Sequence, residues 1–345
     1  MNPFRLPPSF SPQRTPRCNQ QGFSLVELMI AITIGFIVVG AVGYLYISAS
    51  QSFRTTDNMS RMQENARLAL ETISRDVRMA GFVGCGNLQN ATINTIANPP
   101  VVSLSAANGI TGTDFSTSTA NYVGTTITRP AGDSISITGA FKGGVSITGN
   151  LAPSNANIQI NGNPLGFAVG DVLMVSSCIN ADIFSPTSVS SGSGTVTMAH
   201  GNSTNTGNRV GTYGSDGAVY KMDKYTYFIG TNPANNRALY RTNTVTGTAV
   251  NTEELVENVW DMQIEYGMDT DGDGMVDVYA SATGVTNWAQ VQSARISLLM
   301  VSPDNNIVSP AQTYNFNHAS VTSASTDKRM YQVWTSTIAI RNRAP

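Results

Sequence analysis

Four aspartates fall within nine residues, Asp269-Thr270-Asp271-Gly272-Asp273-Gly274-Met275-Val276-Asp277. Carboxylates at alternate positions of a loop aim hard oxygens at one centre, and glycine at the sixth position permits the sharp turn that calcium loops use. The expected ligands are therefore Asp269, Asp271, Asp273 and Asp277, with the Met275 carbonyl as a further oxygen, and the expected ion is calcium. Ala280 stands where such loops usually carry a twelfth-position glutamate. Asp277 is left to close the shell, which predicts an extracellular type of affinity, about 10⁻⁴ to 10⁻³ M. A solvated Asp-Gly turn between strands is the plainer alternative.

Two further constellations carry chemistry. Glu27 is a carboxylate at the edge of an uncharged, mostly apolar run from Leu28 to Ile47, and an ionised group in such a layer needs a partner or an interfacial position. Cys85 and Cys178 are an even pair once Cys18 is set aside in the leader. In an oxidising compartment they are expected to form a disulfide, with two buried free thiols as the alternative. Enzymatic chemistry finds little support. The two histidines, His200 and His318, stand isolated in polar, loop-like text that predicts exposure. No phosphate loop, dinucleotide fingerprint, zinc spacing or serine-hydrolase elbow occurs.

The elements that must position these residues follow from periodicity and composition. Residues 1–22 are rich in Pro and Gln, lack periodicity and carry Arg5, Arg14 and Arg17 without an acidic residue, which reads as a cytoplasmic leader. A run of about 20 uncharged residues suffices to cross a hydrocarbon core. Helical character then continues, with Met62, Ala66, Ala69, Ile73, Val77 and Ala80 recurring every three or four residues. One helix over 23–80 is predicted, membrane-spanning to about 47, with its outer half packed by this stripe on a globular domain. Residues 81–217 form a β region rich in Ser, Thr, Asn and Gly, with 185–216 the most loop-like part. Residues 218–345 are denser in aromatics, and their strands are expected to form one sheet under the helix, with a helical turn at 254–259. The three tryptophans, Trp260, Trp288 and Trp334, are expected in the core. Charged residues make up only 12% of the 345 and the net charge is -2. That balance suits an external β-rich surface, and the scattered basic residues predict no nucleic-acid binding. The fold class is α+β.

Gly22-Phe23-Ser24-Leu25-Val26-Glu27, followed by an apolar helix, resembles the cleavage and methylation signal of type IV prepilins and pseudopilins. The resemblance implies cleavage after Gly22 by a prepilin peptidase and methylation of the new amino terminus at Phe23. It also implies that Glu27 neutralises the terminal amine of a neighbouring subunit. Later fragments resemble the PilW family of minor pilins in their order: Gly170-Asp171-Val172 before Cys178, Leu239-Tyr240-Arg241, Leu255 to Val259, Tyr266-Gly267 before the Asp-rich loop, Trp288 before Arg295 to Leu299, and Ala339 to Arg343. A member of that family would sit in the inner membrane by a single pass, with a periplasmic domain, and pass into a type IV pilus. Its partners would be other minor pilins, the major pilin and the prepilin peptidase, and its role the priming of pilus assembly. A minor pseudopilin of type II secretion is the nearest alternative; a tip adhesin or DNA-uptake pilin is another.

Overall fold

The structure is a computed structural model and describes residues 22–98, 103–115, 127–130, 132–149, 157–190, 194–244, 251–309 and 311–343. The leader expected over 1–22, apart from Gly22, and Cys18 with it, lie outside these residues. A helix of 54 residues runs over Leu25–Arg78. The chain divides into two compact units at Arg54/Thr55.

In the first unit every described residue is exposed. Glu27 is the single charge between Leu25 and Phe53, and from Leu28 to Ile47 the helix surface is mostly apolar on every side. Such a surface is stable only against lipid or other helices.

Among the described residues the second unit holds sheets of eight, five, four and two strands. The helical stripe anticipated from the sequence is buried as a set: Met62, Ala66, Ala69, Ile73, Val77 and Ala80 are each at most 1% exposed. They join Ile135, Ile137, Tyr227, Leu239, Met262, Ile264, Ile296 and Leu298 in the largest core cluster. Each large member contributes about 1.5–3 kcal/mol when fully buried. The alanines let the helix backbone come close to the strands. The helix ends where Gly81, at a φ of 69°, turns the chain and donates its N–H to the Thr138 carbonyl at 2.8 Å. A Cβ there would lie 2.3 Å from the Leu88 side chain.

The five-stranded sheet has the order Asn251–Glu257, Arg237–Asn243, Asp223–Thr231, Ser134–Gly139, Ile110–Thr113. The four-stranded sheet has the order Val278–Ala280, Val259–Met268, Val291–Val301, Tyr331–Ala339. While Ala218–Lys221 joins the eight-stranded sheet and Thr313–Phe316 pairs with Ala319–Thr322 alone, the long strands of the last third therefore divide between these two sheets instead of forming one. The chain crosses between them at a single residue, Asn258, whose φ of 62° is tolerated by a short polar side chain. This also corrects the helical turn expected at 254–259. Val and Leu at helix-like spacing are overridden by cross-strand pairing, with Glu254 accepting from the Tyr240 hydroxyl at 3.1 Å and Glu253 from Arg241 Nε at 2.7 Å.

The eight-stranded sheet has the order Thr92–Thr95, Asn180–Phe184, Leu173–Ser176, Ala218–Lys221, Val145–Gly149, Asn157–Asn161, Thr195–Ala199, Ser188–Val189. Its first pair is parallel and the remaining pairs are antiparallel. Ser136-Ile137-Thr138-Gly139 and Ser146-Ile147-Thr148-Gly149, identical in sequence, belong to different sheets. Among the described residues of 185–216 the expected loop is in part strand and in part packed, with Val196, Met198, Val210 and Tyr213 buried. The reason is local polar satisfaction. Asn205 accepts from the Ser185 N–H at 2.8 Å and donates to the Ser185 and Gly201 carbonyls at 2.8 and 2.9 Å.

Candidate functional site

At the amino terminus, Ser24 and Glu27 bond reciprocally. The Glu27 N–H donates to Ser24 Oγ at 3.1 Å and the Ser24 N–H to Glu27 Oε2 at 3.3 Å. This capping box satisfies two of the donors a helix start leaves open. It also places a carboxylate at the positive end of the helix dipole. Gly22 and Phe23 precede the box outside the helix and exposed, and Phe23 is 85% exposed. A peptide bond ahead of a helix cap, open on all sides, is accessible to a protease.

The Asp-rich loop joins Val259–Met268 to Val278–Ala280 and is closed by bonds from the Asp277 N–H to the Met268 carbonyl and from the Asp269 N–H to the Gln290 carbonyl, each 2.9 Å. Asp269 is buried and accepts from the Gly272 and Gly274 N–H groups at 2.6 and 2.9 Å. Gly272 and Gly274 sit at φ 85° and 87°, a conformation side chains rarely adopt. One carboxylate oxygen from each of Asp269, Asp271 and Asp273 lies within 4.8 Å of the others. Three hard oxygens at that spacing could serve together as ligands of one calcium ion. Asp277 stands outside this trio, its carboxylate accepting from the Thr270 N–H and hydroxyl at 2.7 and 2.6 Å. Met275 presents an exposed side chain and donates its N–H to Asp273 at 2.7 Å.

Cys85 and Cys178 are joined in a disulfide, with a Cα separation of 4.7 Å. It ties the turn after the helix to the turn between Leu173–Ser176 and Asn180–Phe184. Ser176 Oγ donates to the Val83 carbonyl at 2.5 Å beside it.

Three buried polar groups escape a reading of the sequence alone. Asp76 lies inside the helix's apolar stripe, 2% exposed. Tyr227 donates its hydroxyl to Asp76 Oδ2 at 2.5 Å, and Arg241 Nη1 lies 3.3 Å from the same oxygen while also pairing with Glu253. Burial and the Asp76 charge push the Tyr227 hydroxyl well above its ordinary range, so it stays a donor. A carboxylate three residues after Ile73 and one before Val77 is the signal that could have found this clamp. Arg343 is 1% exposed and donates to the Trp288, Val291 and Ala106 carbonyls. His200, expected exposed, is fully buried against Phe184, and among the described residues its ring nitrogens have no partner. His318 is exposed as expected, with Nε2 3.0 Å from Glu265. The three tryptophans are half-buried at core margins instead of central, Trp260 lying between the guanidinium groups of Arg237 and Arg329.

Comparison with known proteins gives two family matches. Residues 226–342 match the family described as Type IV Pilus-assembly protein W, and residues 17–43 match the prokaryotic N-terminal methylation motif. A pilin-like protein, PilA3 of Thermus thermophilus, is 36% identical over 75 residues, which are 21% of this chain and 32% of that protein. The chain thus spans about a third of the length of that relative. No solved structure matches.

Proposed function

We propose that this chain, which matches the type IV pilus-assembly protein W family over residues 226–342 and the methylation motif over 17–43, is a minor pilin that primes pilus assembly. It is a membrane-anchored, pilus-related pilin; the finer role is what we propose. The observation that carries it is the pairing of the methylation motif with a helix whose exposed surface from Phe23 to Phe53 is mostly apolar and uncharged apart from Glu27.

A prepilin peptidase removes residues 1–22 and methylates Phe23. The helix holds the protein in the inner membrane by one pass, with the domain after Arg54 in the periplasm. Leaving the bilayer for a filament exchanges lipid contacts for helix contacts. Gly35, Gly40 and Gly43, with no heavy atom within 4 Å of a Cβ built on each, leave room for close approach. Glu27 then gives up its bond to the Ser24 N–H and pairs with the Phe23 ammonium of the adjacent subunit, another minor pilin or the major pilin. Calcium binds Asp269, Asp271 and Asp273 and holds the edge formed by Val278–Ala280.

The test is a deletion strain complemented with wild type, Gly22→Leu or Glu27→Ala, scored for surface pili and for type II secretion. Gly22→Leu should retain the leader by intact mass. Glu27→Ala should insert normally yet fail to enter pili. Normal piliation with lost secretion would replace this role with that of a minor pseudopilin. Undiminished assembly of Glu27→Ala would remove the pairing mechanism.

A further inference from the structure

The strand Tyr331–Ala339 closes one side of the four-stranded sheet, and among the described residues no strand pairs with its outer edge. Its bonding parity follows from its ends. The Met330 carbonyl accepts from the Ser302 N–H at 2.8 Å and the Ile340 N–H donates to the Gln292 carbonyl at 2.9 Å, so even-numbered residues face Val291–Val301. Odd-numbered residues turn their N–H and carbonyl outward. At Tyr331 both are met by one side chain, Gln312, which accepts at 2.8 Å and donates at 2.7 Å as a strand residue would. Beyond it, the outward backbone groups of Val333, Thr335, Thr337 and Ala339 have no partner among the described residues.

A groove of about 1260 Å³ runs between this strand and the polar side of the helix. Trp334 and Ser336 form its strand wall, and Arg67, Arg75, Arg78 and Arg341 outnumber Glu64 and Glu71 along its rim. Arg75 lies near Asp76, 3.4 Å away. Among the described residues the buried Nε1–H of Trp334 has no acceptor. A strand added about 4.8 Å outside the edge would direct every second side chain into this groove, toward the arginines.

We propose that the edge from Val333 to Ala339 receives an extended, acidic segment of another polypeptide, which adds a strand to the sheet and sets its carboxylates against the arginines of the groove. Identifying the donor as another pilus subunit rests on the function proposed above. The strand-edge chemistry does not; edge-to-edge pairing with a second copy of this chain is disfavoured because it would bring arginines against arginines.

The probes are two capped nonapeptides, one alternating Val and Glu and one alternating Val and Lys, titrated by fluorescence anisotropy against the full chain in detergent. The acidic peptide should bind at least about tenfold tighter than the basic one. Thr337→Pro, which removes one outward N–H and leaves the inner ladder intact, should abolish binding, whereas Thr337→Val should not. Methylating the peptide's alternate amide nitrogens should abolish binding without touching the protein, and Arg67→Gln with Arg78→Gln should erase the preference for Glu. Equal binding of both peptides, binding indifferent to N-methylation, or self-association through Thr337 would each overturn the proposal, whatever the outcome of the piliation assay.

Discussion

Removing the Asp76 carboxylate should loosen the helix from its sheet by an amount the geometry fixes in scale. In Asp76→Ala the fully buried Tyr227 hydroxyl loses its acceptor and the mostly buried Arg241 keeps only Glu253. Breaking a buried pair from one side costs about 3–5 kcal/mol, because the group left behind remains desolvated. Tyr227→Phe removes a single bond to a charged acceptor, about 1.5–3 kcal/mol. Once Asp76 is gone, the same change only deletes an orphaned hydroxyl. The double variant should therefore be no less stable than Asp76→Ala, with a coupling energy of about 1.5–3 kcal/mol. At about 2–4 °C per kcal/mol for domains of 150–250 residues, Asp76→Ala should melt roughly 10 °C lower. Thermal and urea unfolding of the four proteins in a double-mutant cycle measures this directly. Additive single effects, or a loss under about 1 kcal/mol for Asp76→Ala, would mean that the apolar stripe alone holds the helix.

Three other outcomes follow from the same structure. Burial holds the His200 pKa below its ordinary 6.5, so its contribution to stability is complete above that value and declines as pH falls through it. Burial pushes Asp133 and Asp261 up to about 6; their contributions are complete below the ordinary 3.8 and disappear as pH rises through about 6. Urea midpoints between pH 7.5 and 5 should fall less in His200→Phe than in wild type, and more in Asp133→Asn. Replacing Cys85 and Cys178 together by Ala opens a loop of 93 residues, costing roughly 4–5 kcal/mol in the chain-entropy model and readable as a shift in urea midpoint. Millimolar calcium should raise the melting temperature of wild type and leave Asp271→Ala with Asp273→Ala unmoved; no calorimetric heat at millimolar calcium would retain the solvated turn.

The long helix was legible because its two halves carry patterns that only a helix satisfies: an uncharged run, then apolar residues every three or four positions. The strands around Tyr227, Leu239, Ile264, Leu298 and Ile338 were legible from β-branched and aromatic alternation. Their division into two sheets was not, because it depends on the backbone of one asparagine, Asn258. Nor was the burial of His200, since the Asn205 bonds that fold its loop inward join residues 20 apart. The Asp-rich motif was visible as a string, but its geometry separates Asp277 from the other three. Local hydrogen bonding to Thr270 decides that, and spacing does not encode it.

A pilus under traction would load this fold along its chain, and the covalent tie between Cys85 and Cys178 then acts as a stop. The two cysteines are 93 positions apart in sequence, and the segment between them, about 320 Å of extended contour at ~3.4 Å per residue, cannot pay out while the bond is intact. Even if the eight-stranded sheet yields, the enclosed segment stays slack and force passes from one sulfur to the other. A subunit pulled repeatedly would thus keep most of its middle region close to native and able to refold when the tension drops.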